Sequence, residues 1–518
     1  MSRRPSSDTP FGMDAPAPYD PVEQRAALRH LGLVVSVLGA CCALTYAVPQ
    51  ASSLRPWLPG EAVPVARLFG RAQGDAVVAV TGGASSGVPG TSPVDPALFA
   101  ALEEAPPPAP PAGEGSAPVE PAQRAVRVDP SELEGLTQEI EDPAGTAMRA
   151  FYEQLLRTAR AEPGAVTRVS HFGDSSIALD GITDTVRRDL QRRFGDAGHG
   201  FILAAKGSLP YRHHDVQHGS SDEGWRLLDI TRGPLSEGHY GLGGYQVRSS
   251  SGASAWFATA EDADALVGRA VSRFVVFYER HAHGGRVELC VDGGEPSVLD
   301  TRGDSTSDEL HVVEVPDGAH RLDLRTVGHG ESHLYGVAME RPGPGVVYDS
   351  LGMVGARASR FLNFDPEHLS RQLALRGTDL IVIGYGGNDA DDARPEAQFE
   401  ADFRRVAHLA RQARPQASCL LFAPIDQAER DERGRIRTMS TVPSIVAAAR
   451  RAALAEGCAF FDTWSAMGGE GSMERWFRAQ PRLAFGDFRH ATPAGYRVVG
   501  HLFYKALLRG FAAHLARP

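Results

Sequence analysis

Cysteine is scarce: five in 518 residues, with no spacing that builds a disulfide framework or a zinc site. Cys41 and Cys42 share a hydrophobic run, Cys290 ends a strand-like segment, and Cys419 and Cys458 sit inside SCLLFAPI and GCAFFDTW, so small buried thiols are expected. Positive charge is also short. With 53 Lys and Arg against 64 Asp and Glu, the formal charge is −11, and a chain without a basic face cannot neutralise phosphates in number. General nucleic-acid binding is thereby excluded. The stretch Tyr211-Arg-His213-His214-Asp215-Val-Gln-His218 is rich in imidazole, but its Gly-Ser surroundings do not set His214 and His218 on one helical face. A polar loop near the mouth of a site is expected there, and no metal or organic cofactor.

One apolar run stands out. Leu31 to Val48 carries no charge across 18 residues, just enough to span a bilayer as a helix. Arg3, Arg4, Arg25 and Arg29 precede it while Arg55 and Arg67 follow, which favours a cytoplasmic segment 1–30, an uncleaved signal anchor 31–48 and an extracytoplasmic remainder, on the periplasmic side of an inner membrane. A cleaved signal peptide or a lipidated Cys41 are the competing readings, both poorly served by a leader holding Asp8, Asp14, Asp20 and Glu23; a buried soluble helix is the fourth. Residues 49–141 read as a tether, with Gly, Ser and Pro crowding Gly82 to Pro96 and Ala105 to Pro121. Gly83-Ala-Ser85-Ser-Gly87 fits a Gly-x-Ser-x-Gly nucleophile pattern, but no helix follows it and a Gly/Ser linker generates the string easily.

Beyond the tether, Asp142-Pro143 is expected to cap a helix running to about Ala161, with Met148, Phe151, Leu155 and Leu156 inward. Val166 to Phe172 reads as a buried strand, Gly173 as a sharp turn, and Asp180 to Phe194 as the next helix. Ser175 thus stands at a strand-to-helix junction, where open α/β sheets bind ligands and a backbone N–H can meet a developing oxyanion. A serine hydroxyl needs a neutral imidazole, and the imidazole a carboxylate to fix its tautomer. Asp487-Phe-Arg-His490, just before a helix start at Thr492-Pro493, supplies both. Gly-Asp-Ser alone is ordinary turn chemistry; the strand-turn-helix context and the matched Asp-x-x-His favour catalysis. Asp379-Leu-Ile-Val-Ile-Gly-Tyr-Gly386-Gly387-Asn388-Asp389 adds a buried strand ending in glycines and an asparagine whose amide can donate to an oxyanion. Val346 to Ala358 is a further strand ending in glycines.

The four blocks Gly173-Asp174-Ser175, Gly352 to Gly355, Gly386-x-Asn388-Asp389 and Asp487-x-x-His490 resemble, in order, those of the SGNH (GDSL-type) hydrolase superfamily. The resemblance implies Ser175 as nucleophile, His490 as base, Asp487 as its partner, and Ser175 N–H, Asn388 and a second-block glycine as oxyanion donors. Gly355 matches that glycine better than Gly352, and Gly173, Asp174, Gly352, Gly386 and Asp389 are the supporting residues. The implied fold is a three-layer α/β/α parallel sheet in two parts, 142–209 and 345–518, with Leu380 to Ile383, Ser418 to Phe422 and Ala459 to Phe461 as later strands. Asp426 and Asp462 follow two of these strands as caps or supports of the site.

Residues 210–344 alternate in short segments, with Asp292-Gly293 and Asp317-Gly318 as hairpin turns, and read as an inserted β-sandwich. Such an insert is similar to the carbohydrate-binding-module-like domain of peptidoglycan O-acetylesterases in this superfamily, which implies a polysaccharide substrate. Trp225, Tyr240, Tyr245 and Trp256 are either sugar-stacking rings or core, and His281 and His283 sit at a hairpin tip. The expectation is an envelope-glycan O-acetylesterase; an O-acetyltransferase using the same site, or a non-catalytic glycan-binding protein on this scaffold, are the alternatives.

Overall fold

The computed structural model describes residues 126–517 apart from 209, 234–236, 263, 264 and 266. The segment 1–30, the anchor 31–48 and most of the tether 49–141 lie outside the described residues. Among those described, no helix is long and apolar enough to cross a membrane.

The chain from Val166 onward builds a parallel sheet in the spatial order Gly345–Gly352, Val166–Gly173, Leu380–Gly384, Ser418–Phe422, Ala459–Phe461. Every residue of the last four in sequence is buried, which is why Leu380–Gly384, Ser418–Phe422 and Ala459–Phe461 read as short apolar runs and not as alternating ones, while Gly345–Gly352 buries Asp349 and Ser350 as well. The period-two pleat still sorts side chains by face. Val169, Leu380, Val382 and Leu420 join the core under the helices Arg149–Ala159, Thr183–Phe194 and Pro493–Leu515. Ile381, Ile383, Cys419 and Leu421 join the core under Pro366–Arg376, Glu396–Ala413 and Thr441–Ala455. The result is the three-layer α/β/α arrangement.

Local chemistry sets the helix starts. Pro493 opens the last helix, and the Thr492 hydroxyl accepts the Gly495 N–H at 3.2 Å. The helix expected from Asp142-Pro143 begins only at Arg149, because the Asp142 carboxylate takes the N–H groups of Thr146, Ala147 and Met148 and holds the intervening chain in a turn.

Cys419 and Cys458 form a disulfide, with Cα atoms 4.8 Å apart, against the expectation of buried thiols. The reason is strand register: Leu420 pairs with Ala459, so Cys419 and Cys458 stand abreast on neighbouring strands, a relation that a sequence separation of 39 does not reveal. Replacing both by alanine is expected to lower the unfolding free energy by about 2–4 kcal/mol in urea titrations; no change would show that the bridge adds nothing to the packing around it.

Between the first two sheet strands in sequence lies a pair of antiparallel sheets. One runs Ser307–Gly318, Val271–Arg280, Ser332–Glu340, Tyr245–Ser249, Arg226–Asp229, with Gly200–Leu203 also paired to Ser332–Glu340; the other runs Val216–Ser220, Ser254–Thr259, Arg321–Gly328, Arg286–Val291, Ser297–Asp300. Asp292 and Gly293, at φ 52° and 71°, make the tight hairpin turn read from the sequence. The chain leaves the α/β domain and rejoins it at one place, where the Arg341 N–H donates to the Ala197 carbonyl at 2.9 Å. Beside that junction a buried ion network joins the two domains. Arg376 grips both Asp349 oxygens at 2.7 and 2.9 Å and also bonds Glu340, which Arg168 and Arg273 contact as well.

The aromatics of the sandwich are not a sugar platform. Tyr240 and Tyr245 are buried in its core, and the Trp256 ring is covered by the Arg321 guanidinium, 4.4 Å from the ring centre. Trp225 packs against the same core with its indole N–H on the Ser254 carbonyl. His281 stacks on His333 at 4.0 Å and bonds the Glu331 carbonyl.

Candidate active site

The strand Val166–Gly173 delivers Ser175 to the carboxyl edge of the sheet. A Cβ on Gly173 would lie 2.4 Å from Ile177 Cγ1 and 2.8 Å from the Gly384 carbonyl, so only glycine lets the chain turn this tightly. Asp174 then caps the short helix Ser175–Ala178, accepting from Ser176 N–H at 3.0 Å and Ser176 Oγ at 2.9 Å. Burial raises the Asp174 pKa against these bonds and the Gly387 N–H, which ties the serine turn to the asparagine turn.

Ser175, His490 and Asp487 come together from opposite ends of the chain. Ser175 Oγ lies 3.1 Å from His490 Nε2, and His490 Nδ1 lies 2.8 Å from Asp487 Oδ2. With a carboxylate at Nδ1, that nitrogen carries the ring proton and Nε2 is left to accept from the serine. Asp487 is further fixed by the N–H groups of Arg489 and His490 at 3.0 and 3.2 Å. Partial burial pushes its pKa up, but these donors and the imidazole outweigh that and hold it below the usual carboxylate value. Asp487 therefore stays ionised wherever the imidazole is neutral.

Asn388 lines the same cleft, and one of its amide hydrogens goes to the Ala356 carbonyl at 3.0 Å. The second is left for a ligand. Gly386, at φ 125°, makes the turn that brings this segment off its strand. Asp389 anchors the neighbouring loop by accepting the Ala358 N–H at 3.1 Å and the Arg394 guanidinium at 3.3 Å. Gly352 and Gly355 differ sharply. Gly352 is a packing position at the end of its strand, where a Cβ would lie 1.9 Å from the Ala178 nitrogen. Gly355 is exposed, at φ 77°, with open space around it, next to the Ala356 that holds Asn388. Neither glycine lines the cleft beside Ser175.

Burial raises the Asp389 pKa to about 6, with the Ala358 N–H and Arg394 only partly opposing it. Between its unfolded value near 4 and that raised value the folded protein keeps a proton that the unfolded chain has lost, so this group makes stability fall as pH rises through that window. Asp389→Asn is expected to flatten that part of the stability profile, measured by urea midpoints from pH 4 to pH 7; an unchanged slope would assign it to other groups.

The cleft, of ≈ 120 Å³, is walled by Ile182, Phe422, Ile425 and Tyr496 and rimmed by Asp391, Gln427 and Arg489. No residue of the Tyr211–His218 loop lines the cleft, though the Arg212 N–H donates to the Ala178 carbonyl at 3.3 Å, at the end of the short helix that carries Ser175. Tyr211 bonds His213 at 2.6 Å, His213 bonds His199 at 2.9 Å, and the His214 N–H reaches Asp180 beside the helix Thr183–Phe194. Asp180, His199 and His213 are close enough to share an ion, but Arg187 holds both Asp180 oxygens, and a guanidinium there opposes a second cation. Asp426 and Asp462 are structural: Asp426 accepts from Trp464, Thr438, Ser472 and the Met473 N–H, and Asp462 caps the helix Thr463–Ala466.

The GDSL-like Lipase/Acylhydrolase family model matches residues 303–498, a segment that contains Asn388, Asp487 and His490 and begins after Ser175. A solved structure, "Peptidoglycan O-acetylesterase in action, 5 min", superposes with a TM-score of 0.60 at 22% identity, covering 72% of this chain and 99% of that one. A family two carbohydrate esterase from Cellvibrio japonicus (TM-score 0.23, 11% identity, 58% of this chain and 99% of that one) is too distant to bear on the fold. So is a carbohydrate esterase family 2 enzyme plus carbohydrate binding domain from Corynascus thermopiles (Myceliophthora fergusii), at 0.25, 14%, 57% and 100%. No curated protein matches the chain significantly in sequence.

Proposed function

We infer that this chain is a carboxylic ester hydrolase of the SGNH/GDSL type that removes O-acetyl groups from a cell-envelope polysaccharide such as peptidoglycan, a reading supported by the GDSL-like family match over residues 303–498. The observation that carries the chemistry is the continuous hydrogen-bond path Ser175–His490–Asp487 beside a free asparagine amide hydrogen. Ser175 Oγ attacks the acetyl carbonyl as His490 Nε2 takes its proton, and the tetrahedral oxyanion is held by Ser175 N–H and Asn388 Nδ2. His490 returns the proton to the departing sugar oxygen. Water, activated by the same imidazole, then releases acetate from Ser175. No step uses a metal or organic cofactor.

The small cleft supports a short acyl group, and the superposition on a peptidoglycan O-acetylesterase supports a glycan. The disulfide supports an oxidising compartment, in keeping with an anchor at 31–48 and a periplasmic catalytic domain. The test is acetate release from O-acetylated peptidoglycan, compared with acetylated xylan and with transfer to an unacetylated glycan. Hydrolysis of the first is expected; neither acetate nor acetylated acceptor from any of them would overturn the acetyl specificity. Asn388→Ala is expected to lower kcat about 10²–10³-fold at nearly constant KM, since its free amide hydrogen meets the carbonyl oxygen only as negative charge grows there. An equal rise in KM would move Asn388 to ground-state binding.

A further inference from the structure

We propose that Phe485, with the Asp391–Arg489 pair, forms the subsite for the sugar ring that carries the acetyl group. The proposal rests on the esterase reading above and names where its leaving group lies. When the tetrahedral intermediate collapses, the bond between the acetyl carbon and the sugar oxygen breaks. The electron pair goes to that oxygen, and His490 Nε2 gives it the proton taken from Ser175, while the acetyl group stays on Ser175 Oγ. The departing sugar therefore lies against His490, and the residues flanking that imidazole are the ones that meet it.

Phe485 is one of them, by backbone geometry. Ala484 and Ala491 form an antiparallel bridge, and the Phe485 N–H donates to the His490 carbonyl at 2.9 Å. Residues 485 and 490 are thus direct cross-strand partners. Directly opposite residues of an antiparallel pair share a face, so the Cβ atoms of Phe485 and His490 lie on one side, about 4.5–5.5 Å apart for such partners, with Phe485 outside the cleft that His490 lines. Phe485 is 50% exposed, a large apolar ring that the protein's own core does not cover. An exposed ring face beside a catalytic imidazole is suited to the C–H face of a pyranose.

On the rim of the cleft, Arg489 bonds Asp391 Oδ1 at 3.0 Å and Gln427 Oε1 at 3.0 Å. The pair presents a guanidinium and a carboxylate side by side, donor and acceptor for neighbouring hydroxyls of one ring. An apolar ring outside the cleft and a charged fork on its rim would together favour a pyranoside with free hydroxyls near the ester, and they add nothing for an ester whose alcohol has no ring.

The experiment compares steady-state acetate release from O-acetylated peptidoglycan fragments and from ethyl acetate, in wild type, Phe485→Ala, Phe485→Tyr and Asp391→Asn, with thermal melting as the check on folding. Phe485→Ala and Asp391→Asn are each expected to lower the ratio of kcat/KM for the glycan ester to that for ethyl acetate at least 10-fold, chiefly through KM, and Phe485→Tyr to restore it. An unchanged ratio, or equal losses on both esters, overturns the sugar subsite and leaves the esterase standing. Hydrolysis of neither ester by the wild type overturns the esterase reading and the subsite with it.

Discussion

Ser175→Ala is expected to lower kcat/KM on a small acetate ester by about 10⁴-fold or more, while unfolding in urea at the wild-type midpoint. The size of the loss follows from the geometry. Ser175 Oγ is 3.1 Å from an imidazole whose other nitrogen is fixed by Asp487, so removing the oxygen removes the covalent route and leaves only the oxyanion donors. The silence in stability follows from the local packing: the turn is held by Asp174, Gly173 and the backbone of the short helix, none of which uses the Ser175 hydroxyl. Asp487→Asn is expected to cost less, because the side chains of Asp487 and His490 are 48% and 42% exposed and water substitutes in part for the lost charge. Activity of Ser175→Ala equal to wild type would move the nucleophile elsewhere.

Arg376→Met is expected to lower the unfolding free energy by about 3–5 kcal/mol. Arg376 is the shared cation of two nearly inaccessible carboxylates: Asp349, on the strand beside the Ser175 strand, and Glu340, at the end of the last sandwich strand. Methionine fills similar volume but leaves Asp349 without a charged partner, since its remaining bond is the Phe201 N–H at 2.9 Å. Glu340 keeps Arg168 and Arg273. The loss should be read by urea titration of the whole chain; a change below about 1 kcal/mol would mean that water or a protonated carboxyl takes the guanidinium's place. Arg376→Lys should recover only part, because one ammonium cannot bridge two carboxylates in the plane that a guanidinium spans.

What could be read from the sequence was whatever is local in the chain. The apolar runs at Leu380 to Ile383 and Ser418 to Phe422 are strands because both faces are buried, and the hairpin at Asp292-Gly293 is a turn because two consecutive residues take positive φ. Three of the four motif blocks sufficed to pick out the residues that the structure gathers at the site, Ser175, Asn388, Asp487 and His490, while the glycines of the second block lie outside the cleft. Relations across the sheet were not legible. The Cys419–Cys458 bridge depends on which strands are neighbours, and Asp142 caps a turn where a helix was expected because its three N–H donors come from residues 146 to 148. The aromatics could not be sorted from the sequence either: Tyr240 and Tyr245 look no different there from surface rings, and the structure buries both in the sandwich core.

The bond between Arg341 N–H and the Ala197 carbonyl has a consequence for how this chain finds its fold. Val166 must pair with Gly345 to seat the two strands that carry Ser175 and Gly352, and the intervening chain is long. Loop closure grows only logarithmically in cost, but non-local pairing slows folding steeply. A sandwich that closes first brings Ala197 to Arg341 and shortens the effective loop to the helix and turns between Gly173 and Ala197. The insertion then acts as a splint: the longest excursion in the chain becomes, once folded, the device that aligns the two edges the catalytic sheet must join.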